Sequence, residues 1–324
     1  MSNIRSFDID KPRWDQSTFY GRFRHFASIT DPSIAFCSTD QLIKAKELVE
    51  LQRKKSAPAG TTLEELLRAQ KLYGSAFHPD TGELQNFAGR MCFNAWGGTV
   101  LCGAMMIWYQ STPAVLFWQW TNQSFNALVN YTNRNAQSEL KKSDLFMAYG
   151  SAVGGALSLA MGLKTYFAKR DVSQTLQRMV PLGAVAVANA INIPMMRQNE
   201  LRRGVVVTDE NGNAVGSSRL AATKAISLVV VSRNVIVAPS MILTPIIVER
   251  LLTKEFFIKN FKRLYIPTQI ILTFILYGSM VPVGCALFPQ HSSIDVETLK
   301  KYEPEAYEKL LRKDLKKVYF NKGL

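Results

Sequence analysis

Residues 91–133 read MCFNAWGGTVLCGAMMIWYQSTPAVLFWQWTNQSFNALVNYTN and contain no lysine, arginine, aspartate or glutamate. Four more uncharged runs follow along the chain, at residues 145–163, 179–196, 234–248 and 264–294. A membrane-spanning helix needs about 20 mostly apolar residues. One such run fits a buried helix of a soluble protein, whereas five in succession, separated by basic loops, predict an integral membrane protein.

We predict an all-α integral membrane protein with about five transmembrane helices, at residues 97–120, 145–163, 180–196, 225–248 and 266–287. Residues 1–90 are polar and mixed in charge, and their capping signals predict a small helical region outside the membrane. The transmembrane domain is expected over residues 91–288. A charged C-terminal tail follows at residues 289–324, with a helix expected around residues 303–317.

The net charge is +14, from 39 Lys+Arg against 25 Asp+Glu. The basic residues flank the apolar runs and form no stripe with interleaved aromatic residues, so we expect a lipid bilayer and no nucleic acid as partner. Loops 164–179 and 249–265 carry four and five Lys or Arg, more densely than loops 121–144 and 197–224 with three and five. Five helices put the denser pair beside the N-terminus and the two termini on opposite sides. The N-terminus is then expected on the side of the denser basic loops, which is the matrix side if this is a protein of the mitochondrial inner membrane.

The sequence contains no motif typical of an enzyme or of a metal site. Residues 1–16 lack an apolar segment and contain three aspartates, so we expect no cleaved presequence. The four cysteines show no CxxC spacing, and no histidine lies within a predicted membrane helix, so neither a metal nor another cofactor is expected. Phosphate-binding, dinucleotide-binding, metalloprotease and hydrolase motifs are also absent, which argues against an enzyme.

Asparagines occupy positions where a purely structural membrane helix would carry apolar residues. Asn122, Asn126 and Asn130 repeat every four residues and so share one face of a helix. Asn189 and Asn192 lie within the third predicted helix. Amides both donate and accept hydrogen bonds, so they can bind the ammonium and carboxylate of a zwitterion without a fixed charge. The stripe alone fits an interfacial helix whose polar face sees water slightly better, and the second group also fits an interhelical hydrogen bond.

Arg233 and Asn234 form the sharpest single feature of the predicted membrane domain. An arginine inside an apolar span marks a functional site, whereas one near a helix end reaches the interface. Pro239 and Pro245 follow in the same helix, where they could free backbone carbonyls for binding or simply kink the helix. We count Arg233 and Asn234 with the five asparagines as candidate substrate-binding residues.

A second motif lies in the polar N-terminal region and is made of His78, Pro79, Asp80, Thr81, Gly82 and Glu83. Proline fixes one φ angle, Asp and Thr can bond the local backbone, and Gly permits a positive φ, so the motif predicts a defined turn. Its His, Asp and Glu could instead belong to a metal or acid–base site, for which a distal partner is missing.

Six blocks of sequence carry a resemblance to a known family: PRWDQ at residues 12–16, SAFHPDTGE at 75–83, TPAVLFWQW at 112–120 running into 122–133, NIPMMR at 192–197, LFPQ at 287–290 and YFNKGL at 319–324. In this order they resemble the sideroflexins, mitochondrial inner-membrane proteins with about five membrane helices. Family members are similar to transporters of serine that feed mitochondrial one-carbon metabolism, with alanine and cysteine as related substrates.

The resemblance implies a mitochondrial inner-membrane transporter whose partner is a small zwitterionic amino acid, serine above all. Two alternatives stay open. A tricarboxylate (citrate) carrier would need several cations in the membrane, and a non-transporting membrane protein could support iron and haem homeostasis. The threefold Pro-x-Asp-x-x-[Lys/Arg] repeat of the common mitochondrial carriers is absent, which indicates a different architecture. No oligomeric state is predicted.

Overall fold

A computed structural model of the chain describes residues 7–323 except positions 80, 110, 134–141, 171–172, 174–175, 178 and 312–314. Most of the described chain is helical, and several helices are long and apolar enough to cross a bilayer. The predicted all-α membrane class is therefore confirmed. A small four-stranded sheet is added at one end of the helix bundle.

The N-terminal region is built from three α-helices: α1 (Phe19–Ile29), α2 (Thr39–Arg53) and α3 (Leu63–Ala76). Thr18, Ser38 and Thr62 precede them, and each side chain accepts a hydrogen bond from a backbone amide of the first turn. The apolar faces of α2 and α3 meet in a core that contains the fully buried Leu42 and Leu66. The buried apolar residues of α1, Phe26 and Ile29, pack instead against Ala286. Capping and these two clusters thus fix the three helices outside the apolar part of the chain.

Six longer helices follow: α4 (Asn94–Trp108), α5 (Thr112–Thr132), α6 (Lys142–Ala168), α7 (Val180–Met196), α9 (Arg219–Leu251) and α11 (Phe261–Ala286). Two short helices lie between them, α8 (Gln198–Arg203) and α10 (Glu255–Lys259). By length and composition the segments containing α4, α6, α9 and α11 can cross a membrane, and α7 is a shorter apolar helix. The sixth helix, α5, is more polar and carries Asn122, Asn126 and Asn130.

The single first helix expected over residues 97–120 is wrong, because the chain forms two helices there. Ser111 caps the start of the second of these helices, because its side chain accepts a hydrogen bond from the amide of Ala114 at 3.3 Å. Pro113 lies in the first turn of α5, where a helix does not need its missing N–H. The helix α5 then returns to the start of α4, since Asn133 donates to the carbonyl of Gly89 at 2.9 Å.

The six helices form a closed ring in the order α4, α5, α6, α7, α9, α11, with α11 packed against α4. On α6 the contact with α7 follows a stripe of fully buried alanines at positions 148, 152, 156 and 160. Small side chains at a spacing of four let two helices approach closely. The ring therefore has its tightest seam between α6 and α7.

Both terminal regions lie at the same end of this ring. Arg22 in α1 donates from Nε to the carbonyl of Ala286 at the end of α11, at 2.9 Å. Arg197, directly after α7, donates from Nη1 to the carbonyl of Lys322 in the C-terminal tail, also at 2.9 Å. Since α5 adds a sixth pass, the chain leaves the ring at the end where it entered.

This topology corrects the predicted arrangement of the loops. Residues 164–179 and 249–265 were expected beside the N-terminus, but residues 249–265 and the described part of 164–179 lie around the far end of the ring, because the extra helix reverses every later element. The prediction that the two termini lie on opposite sides is wrong for the same reason. The predicted matrix-facing N-terminus therefore has no support from these basic loops.

The sheet contains four antiparallel strands in the order β2-β1-β4-β3: β1 (Val205–Thr208), β2 (Ala214–Ser218), β3 (His291–Asp295) and β4 (Lys317–Asn321). Two helices connect β3 to β4, α12 (Val296–Tyr302) and α13 (Pro304–Leu311). The tail helix expected to reach residue 317 thus ends at Leu311. Val207, Leu299 and Phe320 form the core beneath the sheet, which joins the tail to the segment after α7.

We predict that tags at the N-terminus and the C-terminus share one accessibility to protease in sealed membranes that hold the protein in one orientation. A tag inserted after Thr253, in the connection between α9 and α10, should show the opposite accessibility. Cleavage of one terminal tag while the other is protected would contradict the six-helix topology.

Candidate substrate-binding site

A small cavity lies inside the ring, between α4, α5, α7, α9 and α11. Its volume is about 30 Å³, which is room for roughly two water molecules. The polar part of its wall consists of amides, one phenol and one guanidinium, which belong to Asn94, Asn122, Asn126, Asn189, Tyr277 and Arg233. The rest of the wall is apolar, from residues such as Leu101, Phe125 and Val237. The cavity therefore combines polar and apolar surface, has one cation among the described residues that line it, and is smaller than an amino acid.

The amide stripe of α5 points into the ring. Asn122 and Asn126 line the cavity, and Nδ2 of Asn122 has no hydrogen-bond partner among the described residues. Asn130 accepts a hydrogen bond from Nη2 of Arg233 at 3.5 Å, the long limit for such a bond. A buried amide without a partner costs about 1–3 kcal/mol. This face thus has unused capacity to bind a ligand.

The outer face of α5 is apolar instead of wet. Leu116, Phe117, Trp120 and Leu128 are each more than two-fifths exposed. An interfacial helix would turn its polar face to water and its apolar face to lipid. Here the apolar face points out of the ring and the asparagines point in, so the stripe belongs to the interior.

The asparagines of α7 divide into two roles. Nδ2 of Asn189 donates to Oδ1 of Asn234 at 2.9 Å, which joins α7 to α9 at the wall of the cavity. Asn192 is buried but does not line the cavity, and its Oδ1 has no partner among the described residues. The interhelical hydrogen bond considered for these residues is therefore found for Asn189, which also faces the cavity.

Arg233 stands at the end of the cavity nearest the N-terminal region. It is half-buried, lines the cavity, and reaches the last turn of α5 at Asn130. The helix that carries it continues without a break past Pro239 and Pro245. The two prolines therefore do not break the helix. Arg233 provides the positive charge at this site from a continuous helix.

The predicted residues fall into three groups. The cavity is lined by Asn122, Asn126, Asn189 and Arg233. Asn130 and Asn234 each hydrogen-bond to one of these residues without lining the cavity themselves. Asn192 lies apart from it.

Two wall residues were not among the sequence candidates. The hydroxyl of Tyr277 donates to Oδ1 of Asn94 at 3.3 Å, which links α11 to α4. A Cβ atom on Gly98 would lie 2.0 Å from the Tyr277 ring, so only glycine allows this contact. The pair Gly97-Gly98 in an apolar helix indicates a close neighbour, but the neighbour itself is more than a hundred residues away in sequence.

The His78–Glu83 motif lies outside the ring and forms a turn. The amide of Gly82 donates to the carbonyl of His78, and the amide of His78 donates to the carbonyl of Glu83, both at 2.9 Å. Gly82 has a φ of 66°, which glycine adopts readily. Asp80 lies outside the described residues. Within the described chain, no three His, Cys, Asp or Glu side chains come together as a possible metal site.

A wide cleft separates the N-terminal region from the adjacent end of the ring. Its volume is about 1600 Å³. Several of the sequence blocks noted above meet on its walls, through Pro12, Trp14, Pro79, Pro289, Gln290 and Asn321. Segments that are remote in sequence therefore build one vestibule-like space at the end of the ring that holds Arg233.

Lys322 lies beside this cleft and is only 1% exposed. Its amide donates to the carbonyl of Gln290 at 2.8 Å, and its carbonyl accepts from Arg197. Burial lowers the pKa of the Lys322 ammonium from 10.5 to about 8, and the nearby Arg233, Arg197 and Arg22 act in the same direction. A lysine near a polar chain end is usually exposed, so no sequence pattern indicated the burial of this residue.

We expect Lys322→Met to raise the melting temperature of the purified protein at pH 7. The wild-type ammonium is charged in the folded state at a cost of at most about 3 kcal/mol, because its pKa falls from 10.5 to about 8. Between about pH 8 and pH 10.5 the folded state has lost the proton that the unfolded state still holds, so wild-type stability rises with pH. The difference in melting temperature between Lys322→Met and wild type should therefore disappear near pH 10. Lys317→Met, an exposed change at the start of the strand that precedes Lys322, should show no such difference in melting temperature. A difference in melting temperature between Lys322→Met and wild type that does not change with pH would contradict the expectation.

Gly98→Ala should destabilise the protein by about 1–3 kcal/mol, because the new methyl group would overlap the Tyr277 ring. Gly103→Ala is a matched change in the same helix, where no heavy atom lies within 4 Å of the added Cβ. It should be neutral or slightly stabilising, since alanine favours a helix. Thermal unfolding in detergent measures both, and equal melting temperatures would contradict the close contact.

Comparison with known proteins extends over the whole chain. The family described as Sideroflexins matches residues 8–324. Sideroflexin-2 of Drosophila melanogaster is 49% identical over 329 residues, with 100% of each protein covered. Sideroflexin-2 of Homo sapiens is 48% identical, covering 100% of this chain and 99% of that protein. Sideroflexin-1 of Homo sapiens is 47% identical, with 98% of both covered.

No solved structure matches the chain. The family match and the full-length identities agree with the resemblance carried by the six sequence blocks. The chain belongs to the sideroflexin family.

Proposed function

We propose that this sideroflexin transports small neutral amino acids, serine above all and alanine or cysteine as related substrates, across the mitochondrial inner membrane. The observation that carries the proposal is the cavity inside the ring, walled by four asparagines, a tyrosine and one arginine. A zwitterion has one negative and one positive group, and its hydroxyl or methyl group is small. Amides bind either charged group, and a planar guanidinium suits the carboxylate.

The small volume of the cavity implies that transport requires helix movement. About 30 Å³ is too little for serine, so a substrate has to widen the space between the helices. The bonds Asn189–Asn234 and Tyr277–Asn94 each join two helices at the wall. A substrate that hydrogen-bonds to these side chains competes with the interhelical bonds. Binding is thereby coupled to the opening that alternating access requires.

Citrate is a poorer fit to the same cavity. Arg233 is the one cation among the described residues that line it. Burying three carboxylates opposite a single guanidinium would leave charges unpaired in a medium of low dielectric constant, at a high free-energy cost. The charge balance therefore supports a zwitterion over a tricarboxylate.

We predict that Asn189→Ala weakens the apparent affinity for serine tenfold to a hundredfold. Removing one amide from the site leaves a substrate group unpaired, which costs about 1–3 kcal/mol. Uptake of labelled serine into liposomes that contain the purified protein measures the effect. Asn192→Ala is the matched control, because Asn192 lies on the same helix, is also buried, and does not line the cavity.

Equal uptake kinetics for wild type and Asn189→Ala, at matched protein levels, would place the binding site elsewhere. Labelled citrate is tested in the same liposomes. Citrate uptake without serine uptake would reject an amino-acid transporter.

A further inference from the structure

Three cations from distant parts of the chain surround one point at the mouth of the ring. Lys322 comes from the tail, Arg197 from the end of α7, and Arg233 from α9. The carbonyl of Lys322 accepts from Arg197 at 2.9 Å, and the ammonium of Lys322 lies near enough to Arg233 for their charges to interact. Arg22 of the N-terminal region lies within the same range.

Two of these four cations have their donors occupied. Nε of Arg197 donates to both carboxylate oxygens of Glu200 at 3.0 Å. Arg22 donates to three main-chain carbonyls at 2.8–3.0 Å, which holds the N-terminal region against the ring. Neither residue is therefore available as the main contact for a ligand.

Lys322 and Arg233 have no such counter-charge. In the described ranges of the chain, neither forms an ion pair with an aspartate or glutamate. Arg233 has one long bond to an amide oxygen. A buried ammonium beside other cations is unfavourable unless an anion neutralises it.

The pair also connects the two spaces described above. The residue before Lys322, Asn321, lines the outer cleft, as does Gln290, whose carbonyl accepts the Lys322 amide. Arg233 lines the inner cavity. Cys285, near the end of α11, lies beside both cations. Lys322 therefore lies beside residues that border the cleft, and its charge interacts with that of Arg233, which borders the cavity.

We infer that Lys322 and Arg233 form a carboxylate-binding station between the cleft and the cavity, which receives the carboxylate of the amino acid as it enters or leaves. The inference rests on the proposed amino-acid transport and extends it to a second place on the substrate path. Asn126 and the Oδ1 atom of Asn189 then bind the ammonium and side chain deeper in the ring.

The test uses the full-length protein in liposomes and compares wild type with Lys322→Met, Lys322→Gln and Lys322→Arg. Serine KM should rise at least tenfold in the first two variants, and Lys322→Arg should restore most of the loss because it keeps the charge. Lys317→Met is the control, since Lys317 lies five residues earlier, at the start of β4, and is exposed. Its KM should equal that of wild type.

A second measurement separates this site from serine transport itself. Acetate, a bare carboxylate, should inhibit wild-type serine uptake and raise the melting temperature of the purified protein above that in chloride of equal ionic strength. Both effects should disappear in Lys322→Met and Lys322→Gln, while inhibition by ethanolamine, which lacks a carboxylate, should persist. If wild type takes up no serine, the proposed function fails, and Lys322-dependent stabilisation by acetate still supports the anion site. Wild-type KM and unchanged acetate stabilisation in the two neutral variants would overturn the inference.

Discussion

The energetic cost of an amide surrounded by hydrocarbon is the constraint on which this structure depends. A polar group in the apolar part of a membrane needs a partner or a water-filled space. The helix α5 carries three asparagines on one face and apolar side chains on the other. It therefore has to lie between lipid and an enclosed polar space, and the other five helices close around that space. The ring arrangement follows from where these amides can be accommodated.

The end of the ring beside the N-terminal region is held together by contacts to main-chain carbonyls. Arg22 and Arg197 fix the last residues of α11 and the tail, respectively, and both bonds bring segments together that are more than a hundred residues apart. The strand β4 also lies between β1 and β3 in the sheet. The N-terminal region, the sheet and the ring thus form one connected structure around the outer cleft.

Where one local pattern determined a helix, the sequence was sufficient to predict it. The helix at residues 180–196 was predicted to the residue, because an apolar run ends at Arg197. The first helix was wrong, because the long uncharged run concealed Ser111-Thr112-Pro113, a helix-start signal that outweighs continuous hydrophobicity. The hairpin of β1 and β2 was missed, although β-branched residues and a glycine turn at Gly212 were visible.

The candidate site shows the same division between local and tertiary information. The sequence shows the asparagines in apolar helices, where an unpaired amide is unfavourable. Four of the seven predicted residues line the cavity. Whether Asn189 or Asn192 faces inward depends on the rotation of α7 about its axis, which its neighbours determine. Asn94, Tyr277 and Lys322 acquire their surroundings only through contacts between remote segments, and no local pattern reveals them.

The length of α9 has a mechanical consequence. Its 33 residues form one continuous rod of about 50 Å. Ala221 and Ala225, near its start, are part of the sheet core, and Arg233 borders the cavity. A tilt of about 10° around Arg233 would displace the start of the rod, about 20 Å away, by about 3–4 Å. A small change in the angle of α9 at the cavity therefore moves the sheet at its outer end by several ångströms. Distance-sensitive probes placed on the sheet, in the aqueous phase, can follow such a displacement.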